Sequence, residues 1–138
     1  MADTSAAGQP KILFVYADDW GWGDLGCHGH PEIKTPNLDR LAAEGTDFHH
    51  FMACSPVCSP SRAAFMTGHY PARHGVHQQF APRHDQNALR GMPDWLDADV
   101  TTVTDLAKSA GYVTAHCGKW HLGQGKGVPL PDAYGIDD

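Results

Sequence analysis

The sequence predicts an α/β fold with a mainly parallel sheet flanked by helices. Three observations point there. KILFVYADD, residues 11–19, is a continuous apolar run ending in two carboxylates. A strand buried on both faces reads this way, with the acids at its carboxyl end. Runs of this kind alternate with segments of helical period, the order of a chain that builds a parallel sheet. Two of the helical segments also carry Pro at their start, and all three end at Gly, the expected punctuation.

Residues 1–10 are small and polar and read as a loose tail. The first strand follows at 11–19. WGWGDLGCHGHPE, 20–32, is rich in glycine and reads as loop. TPNLDRLAAEG, 35–45, predicts a helix with Thr35 as N-cap, Pro36 at the first helical position and Gly45 closing the end. Leu38, Leu41 and Ala42 form its apolar stripe. Residues 46–58 read as a short strand and then loop. PSRAAFMTG, 60–68, predicts a short helix. Residues 70–96 show no sustained period and read as loop holding His74, His77 and His84. TTVTDLAKSAG, 101–111, is the clearest helix, with Val103, Leu106, Ala107 and Ala110 at helical spacing. YVTAHCG, 112–118, predicts a strand, and 119–138 reads as loop.

The length of 138 residues suits one domain of 11–138 after the tail, and 41% hydrophobic with 19% charged residues is an ordinary soluble composition. A net charge of -6 argues against a nucleic-acid partner. The apolar runs are too short for a membrane span or a signal core. The expectation is therefore no membrane partner and a cytoplasmic chain, or a periplasmic or secreted one if the true N-terminus differs. Cys27, Cys54, Cys58 and Cys117 are too few and too scattered for a disulfide framework.

In such sheets ligands sit beyond the carboxyl ends of strands. Asp18 and Asp19 stand there and suit a hard divalent cation, or are a solvated acidic turn. Cys58 lies just before the helix expected at Pro60, where helix amides attract anions and lower a thiol's pKa. Arg62 adds a fixed planar charge. The plain alternative is a structural cysteine in a helix cap. Cys54 shares the Ser-Pro that follows Cys58 but lacks the arginine, and reads as a packing residue. Cys54, Cys58, His49 and His50 do not match usual zinc spacings. Lys119 and His121, on one face of a strand end, could bind an anion and handle a proton, or form a solvated rim. His116 and Cys117 read as structural. Trp20 and Trp22 could line a substrate mouth or anchor the loop.

Together these pieces resemble a known family. CSPSR, 58–62, is similar to the sulfatase signature Cys-x-Pro-Ser-Arg in full. GYVTAHCGKWH, 111–121, matches a second signature, Gly-Tyr-x-Thr-x-x-x-Gly-Lys-x-His, at every fixed position. ADDWGWGDLGCHG, TPNLDRLAAEG and TGHYPARHGVH also look like family segments, so the resemblance runs from about Lys11 to the end. It implies a formylglycine-dependent, arylsulfatase-like sulfuric ester hydrolase with an alkaline-phosphatase-like α/β fold.

By that resemblance Cys58 is the cysteine oxidised to Cα-formylglycine, which makes a formylglycine-generating enzyme a partner. Its hydrated aldehyde would attack sulfur and then expel sulfate through the second hydroxyl. Asp18, Asp19 and the modified Cys58 would hold calcium or another divalent cation. Arg62 would steady the nucleophile and the metal site. Lys119 would bind the sulfate, and His121 would bind the diol and take its proton. The substrate would be a small-molecule or sugar sulfate ester. Family members are several times longer, so the sequence predicts a fragment with an incomplete sheet and metal site, prone to self-association or needing a complementing chain. Two other readings stand beside this one: a non-catalytic remnant that binds an anion, a metal or a partner chain, and a phosphonate or phosphate monoester hydrolase.

Overall fold

A strand exists only through the neighbours it pairs with. The structure, a computed structural model, describes residues 8–138, so most of the expected tail lies outside the described residues. The chain forms two compact units, Met1–His49 and His50–Asp138.

In the first unit the apolar run is extended but forms no strand. Ile12, Leu13, Phe14 and Val15 are exposed, Leu13 to 88%. The buried strand predicted at 11–19 is thus corrected to an open extended segment. Two 3-10 turns follow, Trp22–Asp24 and Gly26–His28. Helix α1, Pro36–Glu44, forms where the punctuation placed it, with Pro36 at its start and Gly45 at its end. Thr35 makes no side-chain cap. Its hydroxyl instead accepts from the Gly26 amide at 2.8 Å and donates to Asp39 at 2.7 Å. Asp39 in turn accepts from the Cys27 amide at 2.8 Å. The loop of 20–32 is fastened to α1 through these bonds. The apolar stripe of α1 is exposed at Leu38 and Leu41, so this helix is held by polar ties, not by a core.

The second unit holds the core. Helix α2, Cys58–Thr67, starts two residues before the expected Pro60. Proline is tolerated there because the amides of a helix's first turn have no intrahelical partner. Gly68 closes α2 at φ 69°, a left-handed position that favours glycine. Ala63 and Met66 of α2 pack with Val76, Phe80, Met92, Leu96, Leu122 and Tyr134. Four of these lie in the stretch that reads as loop, which also holds a helix the sequence does not announce, α3, His84–Leu89. Helix α4, Val103–Ser109, is capped by Thr102 and Asp105 in a reciprocal capping box. Its Val103 and Leu106 are exposed, so the expected apolar stripe is not its packing face. Thr102 and Thr104 donate instead to the Tyr134 carbonyl.

The strand predicted at 112–118 is extended and lies against the end of the chain. The His116 amide donates to the Asp138 carbonyl at 2.8 Å, and the Asp137 amide to the Thr114 carbonyl at 3.0 Å. The described residues contain no strand, only an isolated antiparallel bridge between Trp95 and Gly123. The mainly parallel sheet is therefore absent from them. No helix among the described residues is long and apolar enough to cross a membrane.

Candidate active site

Val57 is extended ahead of α2, and its amide donates to the Ser55 hydroxyl at 3.2 Å. This turn makes Cys58 the first residue of the helix and leaves it half-exposed. The residues behind it, Ser59 to Ala64, are buried. Cys58 thus sits at the mouth of a packed element, where the helix dipole favours negative charge. Arg62 follows one turn later on the same face. It is buried, and its Nη1 donates to the Lys119 main-chain carbonyl.

That bond draws the 119–121 segment to α2. The Lys119 Nζ stands 3.2 Å from the Cys58 Sγ. Three predicted residues, 61 positions apart at the extremes, are therefore joined: Cys58, Arg62 and Lys119. Lys119 and His121 do not share the face of a strand end as expected, because no strand forms there. His121 has φ 55°, a left-handed conformation that costs a non-glycine residue energy and is held by surrounding structure. Trp120 turns between His116 and Tyr134, with ring centroids 5.1 and 5.3 Å away.

His121 Nε2 lies 3.2 Å from the Phe80 carbonyl oxygen. A carbonyl only accepts, so Nε2 carries the proton. Nδ1 is buried and makes no hydrogen bond among the described residues. In the neutral ring that nitrogen holds the lone pair, the form able to accept a proton. The Phe80 amide donates to the Ser59 hydroxyl at 3.0 Å, so His121 is linked to the residue beside Cys58 through Phe80.

In the first unit, Asp18 and Asp19 form an exposed bend, with Asp19 at φ 56°. Asp19 and His121 are the only non-glycine residues with positive φ among the described residues. The carboxylates are the oxygen donors a hard cation takes, but two side chains fall short of its roughly six to eight ligands. No group of three or more His, Cys, Asp or Glu that could hold a metal is present among the described residues.

The remaining expectations divide. Cys54 is exposed and so is not a packing residue, and Cys117 is exposed too. None of the four cysteines is in a disulfide. Trp22 stacks on His28, with ring centroids 3.7 Å apart. His74 pairs with His69, nitrogen to nitrogen at 3.1 Å, and burial pushes its pKa down, helped by the nearby His69 and Arg73. Ser59 and Phe80 tie His121 to the start of α2, and no sequence pattern marks either for that part. Their contribution depends on buried hydrogen bonds between distant residues, and only Ser59 lies in a recognisable motif.

The sulfatase family model matches residues 10–129. The N-acetylgalactosamine-6-sulfatase of Homo sapiens is 46% identical over 129 residues, which is 89% of this chain and 24% of that protein. Arylsulfatase A of Bos taurus is 43% identical over 98% of this chain and 25% of its own length. Steryl-sulfatase of Homo sapiens is 47% identical over 88% of this chain and 21% of its own. The chain spans about a quarter of the length of these relatives. Among solved structures, a protein of a glycosaminoglycan-metabolism locus in Bacteroides thetaiotaomicron superposes with TM-score 0.77 at 37% identity, covering 94% of this chain and 27% of that one. Ps i-CgsB gives TM-score 0.74 at 35% identity, covering 87% of this chain and 25% of that one. With its two signatures brought to the mouth of α2 and matches of this extent, the chain belongs to the sulfatase family.

Proposed function

We propose that these residues serve the hydrolysis of sulfate monoesters, with position 58 as the nucleophile after conversion of Cys58 to formylglycine. The observation that supports this most is the Lys119 ammonium 3.2 Å from the Cys58 Sγ at the first residue of α2. An ammonium and a helix N-terminus both attract an oxyanion, so a sulfate would be held beside residue 58. Buried Arg62 holds the Lys119 main chain and so directs that ammonium to its place. His121, protonated on Nε2, offers Nδ1 to a proton leaving the site. The hydrated formylglycine would supply two hydroxyls on one carbon, one to bond sulfur and one to drive release of sulfate.

Asp18 and Asp19 would provide oxygen ligands to calcium or a similar divalent cation, whose charge would favour ionisation of the nucleophile. The relatives' names differ in the alcohol portion, a sugar, a steroid or an aryl group, and share the sulfate. The reading accordingly rests at the sulfate ester, and a sugar sulfate suits it as well as an aryl sulfate.

The test is to coexpress the 138-residue chain with a formylglycine-generating enzyme and confirm the thiol-to-aldehyde mass change in the peptide holding residue 58. Turnover of a nitrophenyl sulfate is then measured with added calcium. Cys58→Ala should lower turnover about a thousandfold or more, as loss of a covalent nucleophile does, while Cys54→Ala leaves it near that of the parent. Equal losses in the two variants would sink the assignment of residue 58. A confirmed aldehyde with no turnover would favour a non-catalytic chain that binds an anion or a metal.

A further inference from the structure

Asn87 is completely buried in a stretch without sequence pattern, and nothing in the proposed chemistry uses it. Its amide makes three hydrogen bonds. Oδ1 accepts from the Ala81 amide at 2.8 Å, while Nδ2 donates to the Ala81 carbonyl at 3.1 Å and to Asp94 Oδ1 at 2.9 Å. The orientation is fixed by chemistry. An ionised carboxylate only accepts, so the NH2 must face Asp94 and Oδ1 must face the Ala81 amide. The bond to Asn87, followed by that to His84, holds the Asp94 carboxyl below its ordinary pKa of 3.8.

The Ala81 amide belongs to the same peptide group as the Phe80 carbonyl. Asn87 therefore binds one side of the peptide whose other side receives His121 Nε2 at 3.2 Å. A hydrogen bond from the amide end of a peptide group strengthens its carbonyl end as an acceptor, and the chain of bonds also fixes the peptide plane. The remaining groups of this strap are tied as well. The Phe80 amide donates to Ser59, and the Gln79 carbonyl accepts from Arg90 Nη1 at 3.0 Å.

We propose that Asn87, anchored by Asp94, is a positioning residue for His121. Through the 80–81 peptide it presents the acceptor that keeps the His121 proton on Nε2 and leaves Nδ1 bare. Its relevance to catalysis rests on His121 belonging to the proposed site, but its test needs no turnover and so fails or succeeds separately. The whole chain is labelled with nitrogen-15, and the ring nitrogens of His121, assigned by their loss in His121→Gln, are read at alkaline pH where imidazoles are neutral. The parent should show the Nε2–H form predominating. Asn87→Leu should lower the ratio of Nε2–H to Nδ1–H about fivefold, the worth of one hydrogen bond. Folding of the variant is checked by the protected Leu96 amide, which donates to the Leu122 carbonyl at 2.8 Å. An unchanged ratio in folded Asn87→Leu, or an even mixture in the parent, overturns the proposal. If Asn87→Leu does not fold, Asp94→Asn alone decides: a smaller shift in the same direction supports it, and no shift overturns it.

Discussion

Residues 12–15 and residues 76–96 are both apolar contributors, yet one set faces solvent and the other makes the core. Ile12, Leu13, Phe14 and Val15 have the stronger pattern and lie open. Val76, Phe80, Met92 and Leu96 are scattered through a stretch with no period and are buried. The difference lies in where the partners come from. A strand of the 12–15 kind is covered by neighbouring strands and by elements on both faces, and among the described residues there is no strand to cover it. The residues at 76–96 are covered by α2, the 120–122 segment and Tyr134, all within the second unit. An apolar side chain is buried by what reaches it, and sequence pattern only says that something should.

The sharpest way to break this contrast is to truncate one side chain from each set. Phe80→Ala should cost about 3–5 kcal/mol, through lost transfer energy and the cavity left behind. Leu13→Ala should change stability by no more than about 0.5 kcal/mol, as exposed positions do. Denaturant unfolding of the two variants measures both. A comparable loss in Leu13→Ala would mean that the run is covered in solution, by self-association or otherwise.

A smaller effect is expected where the core meets a single polar atom. The Tyr134 hydroxyl donates to the Leu96 carbonyl at 2.6 Å, both groups being buried. Burial, with Asp97 nearby, pushes this phenol up to about 12. Tyr134→Phe keeps the ring but strands the carbonyl, for a loss of about 1–3 kcal/mol in the same unfolding experiment. A neutral result would mean that water reaches Leu96.

Legibility in the sequence follows the same division. Helices α1, α2 and α4 were readable because their ends are set by local chemistry: Pro36, Gly45, Gly68 and the Thr102–Asp105 box. Helix α3 was not, since six residues with no apolar period leave no signal. Cys58, Arg62 and Lys119 were legible as a set only through two signatures. Their proximity depends on a bond from Arg62 to a main-chain carbonyl, which no side-chain pattern reveals. Asn87 was invisible for the same reason, because its partners are mainly backbone atoms at Ala81. The expected strands failed because pairing is a property of other segments.

The two units should also answer pH in opposite directions, the mildest of these effects because the ion pairs lie near the surface. In the first unit His28 donates from Nδ1 to the Trp22 carbonyl at 2.8 Å and from Nε2 to Asp47 at 3.0 Å. Both nitrogens carry protons in that arrangement, so the imidazolium is favoured. The Asp47 bond and then the Trp22 carbonyl raise its pKa above 6.5, against the opposing effect of burial. A raised folded value means that the stabilisation is full below 6.5 and is lost as pH rises through the folded pKa. In the second unit Asp137 accepts from Lys108 Nζ at 2.7 Å and from the Thr114 amide at 3.0 Å. Lys108 first, and then Thr114, lower its pKa from 3.8. That stabilisation is full above 3.8 and is lost as pH falls through the folded value. Imidazole NMR should place the His28 midpoint above 6.5, and amide exchange should show the Thr114 bond weakening only in acid. His28 titrating at or below 6.5 would remove the contrast, because the Asp47 bond would then contribute nothing beyond geometry.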